Sequence, residues 1–312
     1  AAASEYVQSN TQNEQYTISD ATDLQMLFKA DAAVYADKTI MFAKLGGNFS
    51  AEDLEGITSG LGSAKAPFKG KLTANMGSAI TLPIDFALFD YLADSAVIDQ
   101  DITIKRSASS DTALFAENVV HTDGNVTPQN WSVFEMSDDN ESGAKYSFTS
   151  VIGEMKDGSI ANLTIQCEDN AVVSKTSGNA GLACGTMGKN VQLTVSPETS
   201  DFTVKAGSNA GSLVGEMSSR AKLTIDKDYS FTGIVLEYDE STGIAVVEQR
   251  NKMNIGDEIE VFGPDCDTFA MKLSYMHNEE DEPIESAPHP QQILRIKFPE
   301  KVKKNYMLCK RK

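Results

Sequence analysis

One motif returns three times in the middle of this chain, and it limits the possible folds more than any other feature. Ser150-Val151-Ile152-Gly153-Glu154-Met155 precedes Leu163-Thr164-Ile165. Leu182-Ala183-Cys184-Gly185-Thr186-Met187 precedes Leu193-Thr194-Val195, and Ser212-Leu213-Val214-Gly215-Glu216-Met217 precedes Leu223-Thr224-Ile225. The glycines lie 32 and then 30 residues apart. Two looser copies come earlier, at Ala87–Leu92 with Ile102–Ile104 and at Ala113–Ala116 with Trp131–Val133. Each unit supplies two short apolar pieces and a turn, which cannot bury an apolar face alone, so the units must stack. Strand-sized, β-branched pieces favour β-rungs over helical repeats. The glycine would allow a close backbone approach, and the methionine two positions later would fill the core beneath it. The competing reading is a β-sandwich whose strands merely look alike.

Before the repeat, residues 1–14 read as a flexible lead-in. Ser19 or Asp20 can cap a helix carrying Leu24, Leu27 and Phe28 on one face. Tyr16–Ile18 and Thr39–Phe42 read as strands, and Asp53-Leu54-Glu55 as a short turn. The start, Ala1-Ala2-Ala3-Ser4-Glu5, has neither a basic nor an apolar stretch. It reads as the remainder of a cleaved leader or as an expression scar.

The texture of Ala210-Gly211-Ser212-Leu213-Val214-Gly215, and more loosely of Ala180–Gly185, resembles the GLUG motif of bacterial surface and adhesin-like proteins. Ile18-Ser19 with Leu24, Pro67-Phe68-Lys69-Gly70 and Leu88-Phe89-Asp90-Tyr91-Leu92 match the segments that open such proteins. The likeness covers roughly 15–226, with Asp90 and Ala116 standing where a glycine is expected. It implies a right-handed parallel β-helix displayed outside a bacterial cell, and no catalytic residues.

The texture changes near Asp226-Lys227-Asp228. Residues 232–312 hold 11 basic and 15 acidic side chains, against 16 and 30 before them. Two strands flank a turn at Asp239–Gly243, Asn254–Asp257 makes a second turn, and Glu258–Phe262 and Gln292–Lys297 alternate as half-exposed strands. Five or six short strands in so short a segment suggest a small β-barrel. Val247-Glu248-Gln249-Arg250-Asn251-Lys252, Gly256-Asp257-Glu258-Ile259-Glu260 and Ala287-Pro288-His289-Pro290-Gln291-Gln292 closely resemble the C-terminal domain of Peptidase U32. That family includes collagenase-like peptidases and proteins tied to tRNA uridine hydroxylation. Its chemistry is assigned to a larger α/β barrel, which nothing here resembles, so the likeness implies an accessory barrel rather than an activity.

Candidate binding residues cluster in that segment. The prolines at 288 and 290 would stiffen a loop presenting His289, Gln291 and Gln292 to a peptide backbone or carboxylate, or would simply make a rigid connection. Glu248, Arg250 and Lys252 alternate, so on a strand they share a face, either a polar binding surface or a paired exterior. Asn278–Glu282 reads as a solvated acidic turn beside His277, without the order of a calcium loop. Asp94, Asp99 and Asp101 could serve acid–base chemistry on a β-helix face, but read more simply as solvated turn charges. No nucleophile elbow, zinc-binding motif or phosphate loop occurs. With three histidines and four cysteines, no metal or cofactor is expected, and a Cys167–Cys184 bridge stays open.

The net charge of −18 repels nucleic acid and anionic membranes, and no apolar run is long enough to span a bilayer. The basic tail, Lys301 to Lys312, reads as solubilising. The expectation is therefore an all-β chain: a flexible 1–14, a β-solenoid at 15–226 with a capping helix, and a barrel at 228–312. The leading function is a non-catalytic, secreted or surface-displayed adhesin-like module, with a leader already removed, binding an extended protein or polysaccharide. The alternative is an accessory part of a collagenase-like U32 peptidase acting on protein. A third is a β-helix carbohydrate-active enzyme.

Overall fold

The computed structural model describes residues 1–43, 49–75, 80–122, 124–137, 145–197, 202–225, 229–263, 269–288 and 291–311. It is mostly β, with 46% strand and 9% helix: a β-solenoid of about five turns and a curled half-barrel sheet near the C-terminus. Two compact units divide at Asp226/Lys227, each with its own apolar core.

The repeat motif becomes one parallel sheet. Strands Phe89–Ala93, Ala116–Val120, Ile152–Met155, Cys184–Met187 and Val214–Met217 stack in chain order. Ile152, Cys184 and Val214 lie in one column, and Met155, Met187 and Met217 in another. Met155 and Met187 are fully buried, as a core-filling role requires. A second parallel sheet stacks Ile80–Leu82, Ile102–Arg106, Asn130–Ser137, Ile160–Cys167, Gln192–Pro197 and Lys222–Ile225. Here Leu193 opposes Leu223, as the repeat implies, but Leu163 opposes Val195, two residues out of step with the motif. A slip of two keeps every inward side chain inward, so the core tolerates it.

The glycine column has a steric cause. A Cβ on Gly185 would lie 2.6 Å from the Gly153 carbonyl oxygen, and one on Gly215 would lie 2.7 Å from that of Gly185. At these positions the backbone aims the Cβ at the adjacent strand's carbonyl, so a side chain meets main chain there. One turn earlier the register places Glu117, not Ala116, opposite Gly153, and Asp90 before it. Both acids accept from backbone: Gly60 N donates to Asp90 Oδ1 at 3.0 Å and Ala113 N to Glu117 Oε1 at 2.6 Å. Burial pushes both carboxyls above the ordinary range. Inside the turns, Phe68 stacks on Phe89, Phe89 meets Phe115 edge-on, and Phe115 packs on Trp131.

Residues 1–14, expected to be flexible, form a helix at Ala2–Asn10 whose Val7 is fully buried, followed by Thr11–Gln12 paired with Gln15–Ile18. Tyr6 fixes this helix by donating to Asp23 Oδ1 at 2.8 Å. The capping helix spans Ala21–Lys29, with Asp20 accepting from Asp23 N. Cys167 and Cys184 are both buried and form no bridge with each other.

Asp94 is not a solvated turn charge. It is fully buried and accepts from Thr122 N and Oγ1, both 3.0 Å, Ile160 N at 3.2 Å, and His121 Nδ1 at 2.8 Å. Asp99 instead pairs with Lys71 at 3.1 Å, and Asp101 is exposed. The three therefore form no catalytic cluster. Deeper in the same unit, buried Arg106 gives Nη2 to the carbonyls of Ser147 and Ala108, while its Nε and Nη1 have no partner. Glu135 is also buried, with Oε2 unpartnered. Desolvation, aided by the nearby Glu168, pushes its carboxyl up to about 7.

Gly185→Ala is expected to cost roughly 1–3 kcal/mol, read as a lower urea midpoint with an unchanged slope. Glu135 holds its proton more tightly folded than unfolded, so stability falls as pH rises from its ordinary value of 4.5 to about 7. Urea midpoints measured across that window should fall for the wild type and stay flatter for Glu135→Gln.

Candidate functional site

The C-terminal unit is built on a hairpin. Strands Tyr229–Asp239 and Ile244–Gln249 pair antiparallel across a turn fixed by Asp239, which accepts from Ser241 N and Oγ and from Thr242 Oγ1. These bonds hold the Asp239 carboxyl below the ordinary range. Met307–Arg311 and Glu258–Phe262 extend one side of the sheet, and Ile293–Lys297 extends the other.

Along Ile244–Gln249 burial alternates, with Ala245, Val247 and Gln249 inward. An amide thus occupies a core position. Gln249 is fully buried; its Nε2 donates to Ala287 O at 2.9 Å, and its backbone exchanges bonds with Gln291 and Gln292. Gln249 N donates to Gln292 O at 2.9 Å, and Gln291 N to Gln249 O at 2.8 Å. The Val247–Lys252 and Ala287–Gln292 motifs are therefore locked together. The third motif joins them, because Met253-Asn254 pairs with Ser286-Ala287 and Asp257 Oδ2 caps Asn254 N at 2.8 Å. Asp257 Oδ1 also binds Lys310 at 2.8 Å.

Among the predicted residues, Gln291 sits at a left-handed position with φ 64° and is exposed, and Gln292 is half-buried. His289 lies outside the described residues. Glu248, Arg250 and Lys252 do not share a strand face as expected. The strand ends at Gln249, where Arg250 N and Asn251 N both turn to Thr232 O. Glu248 and Arg250 still form an ion pair, and Lys252 is exposed. Sequence reasoning passed over Gln249, although a polar residue at inward parity between Val247 and Met253 was the available signal. Gln249 Oε1 and Gln292 Oε1 are both buried without a hydrogen-bond partner. Both oxygens are closed off from the surface, so what the junction presents outward is the exposed Gln291 and the half-buried Gln292.

Residues 227–309 match the Peptidase family U32 C-terminal domain. The tRNA hydroxylation protein P1 of Bacillus subtilis is 37% identical over 84 residues, 27% of this chain and 20% of that protein. The chain thus spans about a fifth of that curated relative. Two crystal structures of the C-terminal domain of a Geobacillus thermoleovorans putative U32 peptidase are each 38% identical to this chain. They cover 27% and 26% of this chain, and 99% and 92% of their own, at TM-scores of 0.25 and 0.26. The family match and the curated relative overturn the expectation of an adhesin-like module, since both point to U32-related proteins. The GLUG likeness of the solenoid is not shown by these matches.

Gln249→Ala should destabilise the U32-like unit by about 1–3 kcal/mol, because Ala287 O would lose its donor inside the fold. Faster amide exchange at Gln291 would report it. Arg250→Ala breaks a partly solvated pair and should cost under about 1 kcal/mol.

Proposed function

We propose that this is a U32-related protein whose C-terminal unit is an accessory domain, holding a protein substrate for chemistry done by another domain or chain. The observation that carries this reading is the Gln249 junction. It gathers all three family-like motifs and holds the exposed Gln291 and the half-buried Gln292 in a fixed backbone geometry. Side-chain amides both donate to and accept from a peptide main chain, whereas a nucleic-acid backbone presents phosphate acceptors alone. The net charge of −18 weighs the same way.

The test is retention of the full chain on immobilised gelatin and, separately, on immobilised tRNA at fixed salt. Gelatin should retain the chain and remain uncleaved, and Gln292→Ala should weaken retention about fivefold, the value of one hydrogen bond. Retention on tRNA alone, or gelatin binding indifferent to Gln292→Ala, would overturn the proposal.

A further inference from the structure

A groove of about 910 Å³ opens on the N-terminal unit, and the residues that line it belong to that unit. Lys65, Lys69 and His121 line it, together with Thr122, Asn125 and Gln129. Among the described lining residues Asp37 is the one acid, and it is engaged by Lys38 at 3.3 Å. Neither Lys65 nor Lys69 has an ion-pair partner among the described residues. In a chain with 45 acidic against 27 basic residues, two ammonium groups in one groove without an ion-pair partner among the described residues favour an anionic occupant.

His121 is set in place more firmly than a surface histidine needs. Its Nδ1 meets the buried Asp94 at 2.8 Å, and its ring lies over Gly158, where an added Cβ would touch Cδ2 at 3.6 Å. Asp94 already receives three hydrogen bonds from Thr122 and Ile160, so its burial does not depend on the imidazole. With Nδ1 held by the carboxylate, Nε2 is the ring nitrogen left for a ligand. The side chain remains 32% exposed in the groove lining. A hydroxyl, which both donates and accepts, suits Nε2 and equally the amides of Asn125 and Gln129. No aromatic ring lines the groove, so charge and hydrogen bonds, not stacking, must supply affinity.

We propose that this groove binds a hydroxylated carboxylic acid of the sugar-acid class, its carboxylate on Lys65 and Lys69 and one hydroxyl hydrogen-bonded to His121 Nε2. The proposal does not rest on the U32 reading, and its failure would leave that reading intact. The sugar acid could be free or the unit of a polymer, and the experiment separates these sources.

Imidazole ¹H–¹⁵N spectra of the full chain contain three histidines, and His121→Gln assigns the signal of interest. D-galacturonate, tri-galacturonate and neutral D-galactose are titrated at constant pH and ionic strength. Galacturonate should shift the His121 signals saturably in the millimolar range, and galactose should not. The Lys65→Gln/Lys69→Gln variant, both positions being exposed, should keep the unbound spectrum and bind about tenfold more weakly. Tighter binding of the trimer would support a polymer source, and equal binding would support the free acid. No His121 shift, an equal response to galactose, or undiminished binding by the lysine variant would overturn the proposal.

Discussion

Everything in the N-terminal unit depends on the spacing between stacked strands, about 4.8 Å. Where the backbone aims a Cβ at the neighbouring strand's carbonyl, Gly185 and Gly215 leave the space open, and the earlier turns carry Glu117 and Asp90 in that column instead. The neighbouring columns hold apolar side chains, Phe89, Ala116, Ile152, Cys184 and Val214 in one and Met155, Met187 and Met217 in another. The repeat in the sequence is the trace of that spacing, written once per turn.

The C-terminal unit follows a different rule. Its segments are held together by a buried side-chain amide instead of by periodic stacking. Gln249 joins residues 38 positions apart through one bond to Ala287, and its backbone secures the two glutamines that follow. Such a junction is worth more inside a protein than on its surface, because an unpaired carbonyl there has no water to turn to. Three separated motifs thus behave as one structural element.

The parts legible in the sequence were those with a period or a local cap. The strands at Thr39–Phe42 and Ile152–Met155, the Asp20 cap and the turn at Asp239–Gly243 follow from alternation, side-chain chemistry and glycine. The parts that were not legible depend on contacts distant in sequence. Asp94 looked solvated because its donors lie 27 and 66 residues away. The helix at Ala2–Asn10 looked disordered because only Asp23 and the packing of Val7 reveal its place. Arg250 and Lys252 looked like strand residues because alternation continued after Thr232 had turned the backbone aside.

The Asp94 network also changes how the solenoid should come apart. Stacked repeats with nearest-neighbour contacts alone can unzip turn by turn from either end. Asp94 bonds Thr122 and His121 on the next turn and Ile160 beyond them, so these three turns cannot separate one at a time without stranding a buried carboxylate. Among the described residues no buried carboxylate ties the last turn in this way; a surface bond from Asn179 Nδ2 to Glu216 Oε2 at 2.6 Å links it to the turn before, and Met217 and Ile225 are about half exposed. The unit is therefore a cooperative block with a fraying tail, and unfolding has a direction: from Lys222–Ile225 back towards Asp94.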